Sequence, residues 1–357
     1  MSYTLTSNNN KMKITTWANL PESERQAILT QVAEKYALPE NAIEKDYWVS
    51  MVLRALFNLP YKENLIFKGG TSLSKGWHLI ERFSEDIDLA INPAQFGFEG
   101  TTFGKSKRDK LRRTSKTFVE TELKDKLTEE LEEAGLGKHI KVESEETKVS
   151  DKDPMVLYIN YKSILKEKRE YIYEKVKLEI SCRSMIEPSE KLRMRSMIAD
   201  SYPEEPFAES GFEVNTADPR RTFLEKVFLL HEEFNRPGGC TRLDRITRHM
   251  YDIVRMMDKD FAKEVLSDAT LYTEIVRHRS VMTSWHGMDY KTHHPSTINF
   301  IPPEKVIPVL REDYKKMQDN FIYGDSPSFD ELIEKLKKLQ ERFHNQTWST
   351  DFFTDAN

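Results

Sequence analysis

Cysteine is almost missing from this chain: 357 residues contain two, Cys182 and Cys240. Two thiols exclude a disulfide framework, and the expected setting is a reducing compartment, the cytoplasm. Long apolar runs are missing too. The best candidate, "WVSMVLRALFNLP", is broken by Arg54 and falls short of the ~18 residues of a membrane span. The opening "MSYTLTSNNNKMKITTW" has no apolar signal core. A strong charge of one sign is absent as well. The net charge is −5, so attraction to nucleic acid has to come from a local patch. There is no internal repeat and no low-complexity tract. Hydrophobic residues make up 38 % and charged residues 32 %, a balance that suits long solvated helices around a moderate core.

Periodicity divides the chain into helices, then an α/β core, then helices. "PESERQAILTQVAEKYAL" reads as a helix with Ser23 as its cap, and "PENAIEKDYWVSMVLRALFN" as a second with Ile43, Tyr47, Met51 and Ala55 on one face. "ENLIFKGG" reads as a strand ended by glycines, "TSLSKGWHLI" as a helix and "DIDLAIN" as a strand. Residues 105–133 form a charged helical pattern up to the Gly135/Gly137 turn. "MVLYINYKSI" and "YEKVKLEISCR" read as paired strands. The acidic, proline-containing "SYPEEPFAESG" is the expected boundary. It divides the chain into residues 1–205, a helical segment plus core, and 206–357, a helical C-terminal domain.

The chemistry concentrates in "FKGGTSLSKGWHLIERFSEDIDLAI", Phe67 to Ile91. Strand alternation puts Ser84, Asp86, Asp88 and Ala90 on one face and Glu85, Ile87, Leu89 and Ile91 on the other. Adjacent carboxylates repel, and a divalent cation that prefers oxygen ligands, Mg2+ or Mn2+, offsets the repulsion. Gly69 and Gly70 allow backbone amides to approach a phosphate at a helix start, and Lys75 lies one turn further on. The same alternation in "EKVKLEISC" puts Glu179 on the polar face, so it becomes a third carboxylate if the strands are neighbours. Each feature alone has a bland reading: a charged solvent face, an ordinary turn. Strand, glycine pair, helix and D-x-D at this short spacing together point to a nucleoside triphosphate.

These residues resemble the nucleotidyltransferase signature of the DNA polymerase β superfamily, and more narrowly the AbiEii/AbiGii toxin family of type IV toxin–antitoxin systems. "IEKDYWVSMVLRAL", "EKVFLLHEEFNR", "RHMYDI" and "DYKKMQDNFIYGDSPSFDELIEKLKKLQ" extend the likeness over most of the chain. The resemblance implies an α+β fold: a small mixed sheet with helices, of polymerase β type, closed over by a helical C-terminal domain. It implies that Asp86 and Asp88 bind the metal, that Ser84, Gly69 and Gly70 adjoin the nucleotide, and that Lys226 and Asp252 complete the site with Asp252 holding Lys226. This chain has Gly-Gly-Thr where the superfamily commonly has Gly-Ser, which makes Thr71 the expected hydroxyl. Without the family, Lys226 reads as a solvated helical lysine and Asp252 as a partner of Arg248 at i−4. The activity implied is transfer of a nucleoside monophosphate from an NTP to an acceptor, with the 3′ end of tRNA leading because some relatives use it. An AbiEi-like antitoxin encoded nearby is the implied partner.

The acceptor has its own signal. "KSKRDKLRRTSK", Lys105 to Lys116, carries seven basic residues and one acid, and on a helix Lys105, Lys107, Arg108, Arg112 and Arg113 form a stripe suited to a phosphate backbone. The competing reading is a solvated face paired with the acids of 120–133. No aromatic RNA-reading signature is visible. His286, His293 and His294 lack a cysteine partner and do not suggest zinc. Modification of a protein by the same site, and nucleotide or RNA binding without chemistry, are the alternatives. No long heptad seam is present, so a monomer is expected.

Overall fold

The computed structural model describes residues 16–166, 173–240 and 242–348. The N-terminal helices are α1 (Glu22–Tyr36) and α2 (Glu40–Leu56). Ser23 is not the cap of α1; the helix already begins at Glu22, and Pro21 stands at the cap position without a side-chain hydrogen bond. In α2 the predicted face is buried, and so are most of the residues around it, since the helix lies between α1 and the sheet.

The core follows. Strand β1 (Leu65–Lys68) runs into a three-residue helix α3 (Gly69–Thr71), continued by a π-helical turn, Ser72–Gly76. The predicted helix through Ile80 therefore ends at Gly76. Strand β2 is Ile87–Ile91; α4 (Lys105–Phe118) passes through a π segment into α5 (Lys124–Glu133). Next come β3 (Ile140–Ser144), β4 (Met155–Tyr161), β5 (Lys175–Ser181), β6 (Ser189–Met194), the short α6 (Met197–Ser201) and β7 (Phe212–Ala217). The seven strands form one mixed sheet in the order β3-β4-β5-β2-β1-β7-β6. β1 pairs antiparallel with β2, while β2 pairs parallel with β5 and β1 parallel with β7.

The pleat sorts the two faces. In β5, Val176, Leu178 and Ile180 are fully buried while Lys175, Lys177, Glu179 and Ser181 are half-buried on the other side. The apolar face packs on α2, α4 and α5, and the polar face looks toward the C-terminal half. That half comprises α7 (Pro219–Phe234), α8 (Thr247–Met256), α9 (Asp260–Val265), α10 (Ala269–His278), α11 (Ile307–Asn320) and α12 (Phe329–His344). α8 is central there, with Met250, Tyr251 and Ile253 fully buried among α7, α11 and α12. Ser328 and Glu331 close a reciprocal capping box at the start of α12.

The boundary falls later than the composition shift suggests. β7 lies beyond "SYPEEPFAESG", yet its Thr216 registers with Phe67 in the central β1, so the sheet needs residues up to Ala217 and the helical half begins at α7. The halves are also joined by a bridge between Arg82 and Ile322, with Phe83 N–H donating to the Phe321 carbonyl at 2.7 Å. Among the described residues no helix is long and apolar enough to cross a membrane.

Candidate active site

A cleft of about 700 Å³ separates the polar face of the sheet from α7 and α8. Gly69, Gly70, Ser84, Asp86, Asp88, Glu179 and Lys226 all line it. β1 ends and β2 begins side by side, with Lys68 in register with Asp88, so the glycine turn and the aspartates meet at one corner of the sheet. Gly69 has φ +80, and a Cβ there would stand 2.1 Å from Asp88 Oδ2; a Cβ on Gly70 would stand 2.5 Å from an Arg82 nitrogen. Both glycines are required where they are, the first by conformation and contact, the second by contact. We expect Gly69→Ala to keep the sheet but displace the Asp88 carboxylate, weakening nucleotide binding at least tenfold; equilibrium dialysis with a labelled NTP checks this, and an unchanged affinity contradicts it.

The electrostatics suit a cation. Burial, then the neighbouring Glu85 and Asp88 carboxylates, push Asp86 up to about 6. Asp88 and Glu179 are in register on adjacent parallel strands, as alternation suggested for neighbouring strands. Glu179, however, is engaged by Lys177 on its own strand. Among the described residues no three His, Cys, Asp or Glu side chains form a metal cage of their own. Two hard-oxygen carboxylates repelling each other beside a glycine cradle fit a divalent cation, whose remaining ligands would have to come from elsewhere than these two side chains.

Across the cleft, Lys226 Nζ lies 3.0 Å from Asp252 Oδ2 and 3.4 Å from His249 Nδ1. Asp252 is fully buried and also accepts two hydrogen bonds from Arg82, both 2.7 Å. Burial alone would raise the Asp252 carboxyl, but Arg82 and Lys226 overcome it and hold the carboxyl below its ordinary range. Burial lowers Lys226, against the pull of Asp252. Burial also lowers His249, with Lys226 and Arg248 adding to it, so the imidazole is neutral. Arg82 was not predicted. It sits in the quoted segment, but its partner is 170 residues away, beyond any local pattern. Glu85, on the far side of the strand from the aspartates, bonds Lys45 of α2 at 3.1 Å and lies 3.5 Å from Arg245, tying the motif to both halves.

Three expected roles need correction. Lys75 does not reach the cleft; its ammonium is buried against Asp46 at 2.6 Å, because the π-helical turn carries it to the α2 side. The Thr71 hydroxyl is buried and bonded to the Asp86 carbonyl and to Ser84 Oγ, so Ser84 is the hydroxyl that lines the cleft. The basic stripe of α4 is not in the cleft. Leu111, Ser115 and Phe118 seat α4 on the apolar layer, Lys107 lies 4.8 Å from the Phe103 ring centre, and Arg112 pairs with Asp151 at 2.9 Å. Lys105 and Arg113 are exposed and Arg108 is half-buried, all on that outer helix. The cations of the cleft are instead Lys68, Arg82, Lys177, Arg183, Lys226 and Arg279 with a set from α8 and its approach, Arg242, Arg245 and Arg248.

A mixed sheet carrying a glycine turn, a D-x-D strand and an opposed lysine defines a nucleotidyltransferase. The chain belongs to the AbiEii family: the family model, described as nucleotidyl transferase AbiEii toxin of type IV toxin–antitoxin systems, matches residues 52–335. In fold the chain is similar to the nucleotidyltransferase toxin MenT4 of Mycobacterium tuberculosis. The TM-score is 0.51 at 13 % identity, covering 90 % of this chain and 91 % of that one. JHP933 from Helicobacter pylori is also similar, with a TM-score of 0.43 at 16 % identity, covering 86 % and 93 %. No curated protein matches the chain.

Proposed function

We propose that this toxin nucleotidyltransferase moves a nucleoside monophosphate from an NTP to a hydroxyl of an RNA acceptor, the 3′ end of tRNA first among the candidates, in the bacterial cytoplasm. The acceptor hydroxyl releases its proton to solvent as its oxygen forms a bond to the α-phosphorus, the bond from that phosphorus to the bridging oxygen breaks, and pyrophosphate leaves. The observation that carries the reading is the convergence of Gly69, Gly70, Asp86, Asp88 and Lys226 on one cleft.

Asp86 and Asp88 would hold Mg2+ or Mn2+, which when bound supplies neutralisation of the triphosphate and polarisation of the attacked phosphorus. The glycine turn brings backbone amides to the phosphates, with Ser84 beside them. Lys226 stabilises charge developing on the leaving pyrophosphate, and Asp252 fixes both Lys226 and Arg82 so that little reorganisation is needed. Glu179, freed from Lys177, assists next to Asp88. The partner is an AbiEi-like antitoxin, and the toxin acts as a monomer.

The test is incubation with each α-labelled NTP, Mg2+ and either total tRNA or cell protein. We expect label on RNA, lost when EDTA is added and restored by excess Mg2+ or Mn2+. Label on protein moves the acceptor to a protein, and tight binding without product makes the chain a nucleotide or RNA binder.

A further inference from the structure

The mouth of the cleft carries an aromatic residue that the catalytic corner does not use. Trp285 lines the cleft, half-buried, with the guanidinium of Arg236 5.1 Å from its ring centre and that of Arg242 5.2 Å away. Its position relative to Lys226 follows from α7. Lys226, Leu229 and Glu233 succeed one another along the cleft wall, and Glu233 accepts from the Arg242 backbone N–H at 2.8 Å. Seven residues of helix separate Lys226 from Glu233, about 10 Å at 1.5 Å per residue. The Glu233 end of α7, which holds the Arg242 backbone, is thus about two helical turns from Lys226 along the same cleft.

The loop that bears Trp285 is irregular but anchored. The Trp285 backbone N–H donates to the Tyr290 hydroxyl at 3.2 Å. The Tyr290 ring stacks on His293 at 4.9 Å, and His293 lies 3.2 Å from the fully buried Glu232, which Arg279 also binds at 2.8 Å. This network fixes a surface tryptophan, as a preorganised binding site requires. Among the described residues the guanidiniums of two cleft arginines, Arg242 and Arg248, form no ion pair with a carboxylate; Arg242 meets Glu233 through its backbone N–H, and Arg248 acts on Asp86 at longer range. Their charge is left for an anionic ligand.

We infer that Trp285, flanked by Arg236 and Arg242, is a stacking platform for the terminal base of a single-stranded RNA 3′ end. A base that takes the place of one guanidinium over the indole stacks there without sequence reading, and the displaced arginine turns to the backbone phosphate. This rests on the proposal that the acceptor is RNA, and it assigns the acceptor's binding site rather than the NTP's.

The test measures binding without turnover, so it is separate from the chemistry. Full-length wild type, Trp285→Ala and Trp285→Phe are titrated, in the absence of NTP, against a labelled single-stranded RNA with a 3′-terminal base and against the same RNA ending in an abasic residue. NTP affinity is measured in parallel, and thermal melting checks folding. We expect Trp285→Ala to lose about tenfold or more in RNA affinity, Trp285→Phe to keep most of it, and all three to bind NTP alike. The abasic end should weaken wild type by a similar factor and Trp285→Ala little. Equal RNA affinity of wild type and Trp285→Ala overturns the platform, as does a loss confined to NTP. A wild type that binds no RNA while labelling protein overturns the platform and the RNA acceptor together but leaves nucleotidyl transfer standing. RNA binding that depends on Trp285 in a chain that transfers nothing supports the platform and defeats the chemistry.

Discussion

Asp86→Asn and Asp88→Asn should each reduce nucleotide transfer by on the order of 10³-fold or more. Loss of a carboxylate that holds the divalent cation removes several kcal/mol of charge stabilisation, and each 1.36 kcal/mol is tenfold in rate. The same substitution at Asp86 should not destabilise the fold. Its carboxyl is raised by burial, by Glu85 and by Asp88. An acid with a folded-state pKa above its unfolded value loses stability as pH rises through the interval from about 4 to about 6, so at pH 7 the ionised form is a burden that the amide relieves. Activity falling while the melting temperature holds or rises is the expected pairing. A fall in both would make Asp86 a structural residue.

Asp252 should behave in the opposite way. Asp252→Asn leaves Arg82 and Lys226, 5 % and 6 % exposed, facing each other without their shared carboxylate. Breaking a buried ion network from one side costs about 3–5 kcal/mol, read as a lower denaturant midpoint, and the transfer rate should fall with it. The triple replacement Asp252→Leu, Arg82→Met, Lys226→Met separates the two effects. Removing every charge should recover much of the stability, since no buried ion is then unpaired, while transfer stays lost. Recovery of activity in that variant would deny Lys226 any role in the chemistry.

The meeting of the glycine turn and the aspartates at one corner of the sheet was legible because it lies in 25 consecutive residues, Phe67 to Ile91, where glycine, alternation and acid spacing are all local signals. Alternation also placed Glu179 on the correct face of β5. What stayed hidden depends on distance or on local geometry. Arg82 takes its meaning from Asp252 on α8, and Glu85 from Lys45 and Arg245. Lys75 was misplaced because the predicted helix is a brief π-helical turn. β3 and β6 are charged edge strands whose apolar rhythm is only two residues long, Ile140 and Val142 in one, Leu192 and Met194 in the other, and β7 follows a stretch whose proline and acid content reads as a linker, although the sheet continues past it. The basic run of α4 is the clearest charge signal in the sequence, yet that helix is seated on the far layer. Three of the arginines that line the cleft, Arg242, Arg245 and Arg248, come from the sparser pattern before and within α8.

The most direct measurement is the affinity of a non-hydrolysable NTP analogue with and without Mn2+, for the wild type and for Asp86→Asn. If Asp86 and Asp88 hold the cation against a triphosphate seated on the Gly69–Gly70 turn, Mn2+ strengthens analogue binding in the wild type at least tenfold and leaves the variant almost unchanged. Equal strengthening in both proteins would contradict the account.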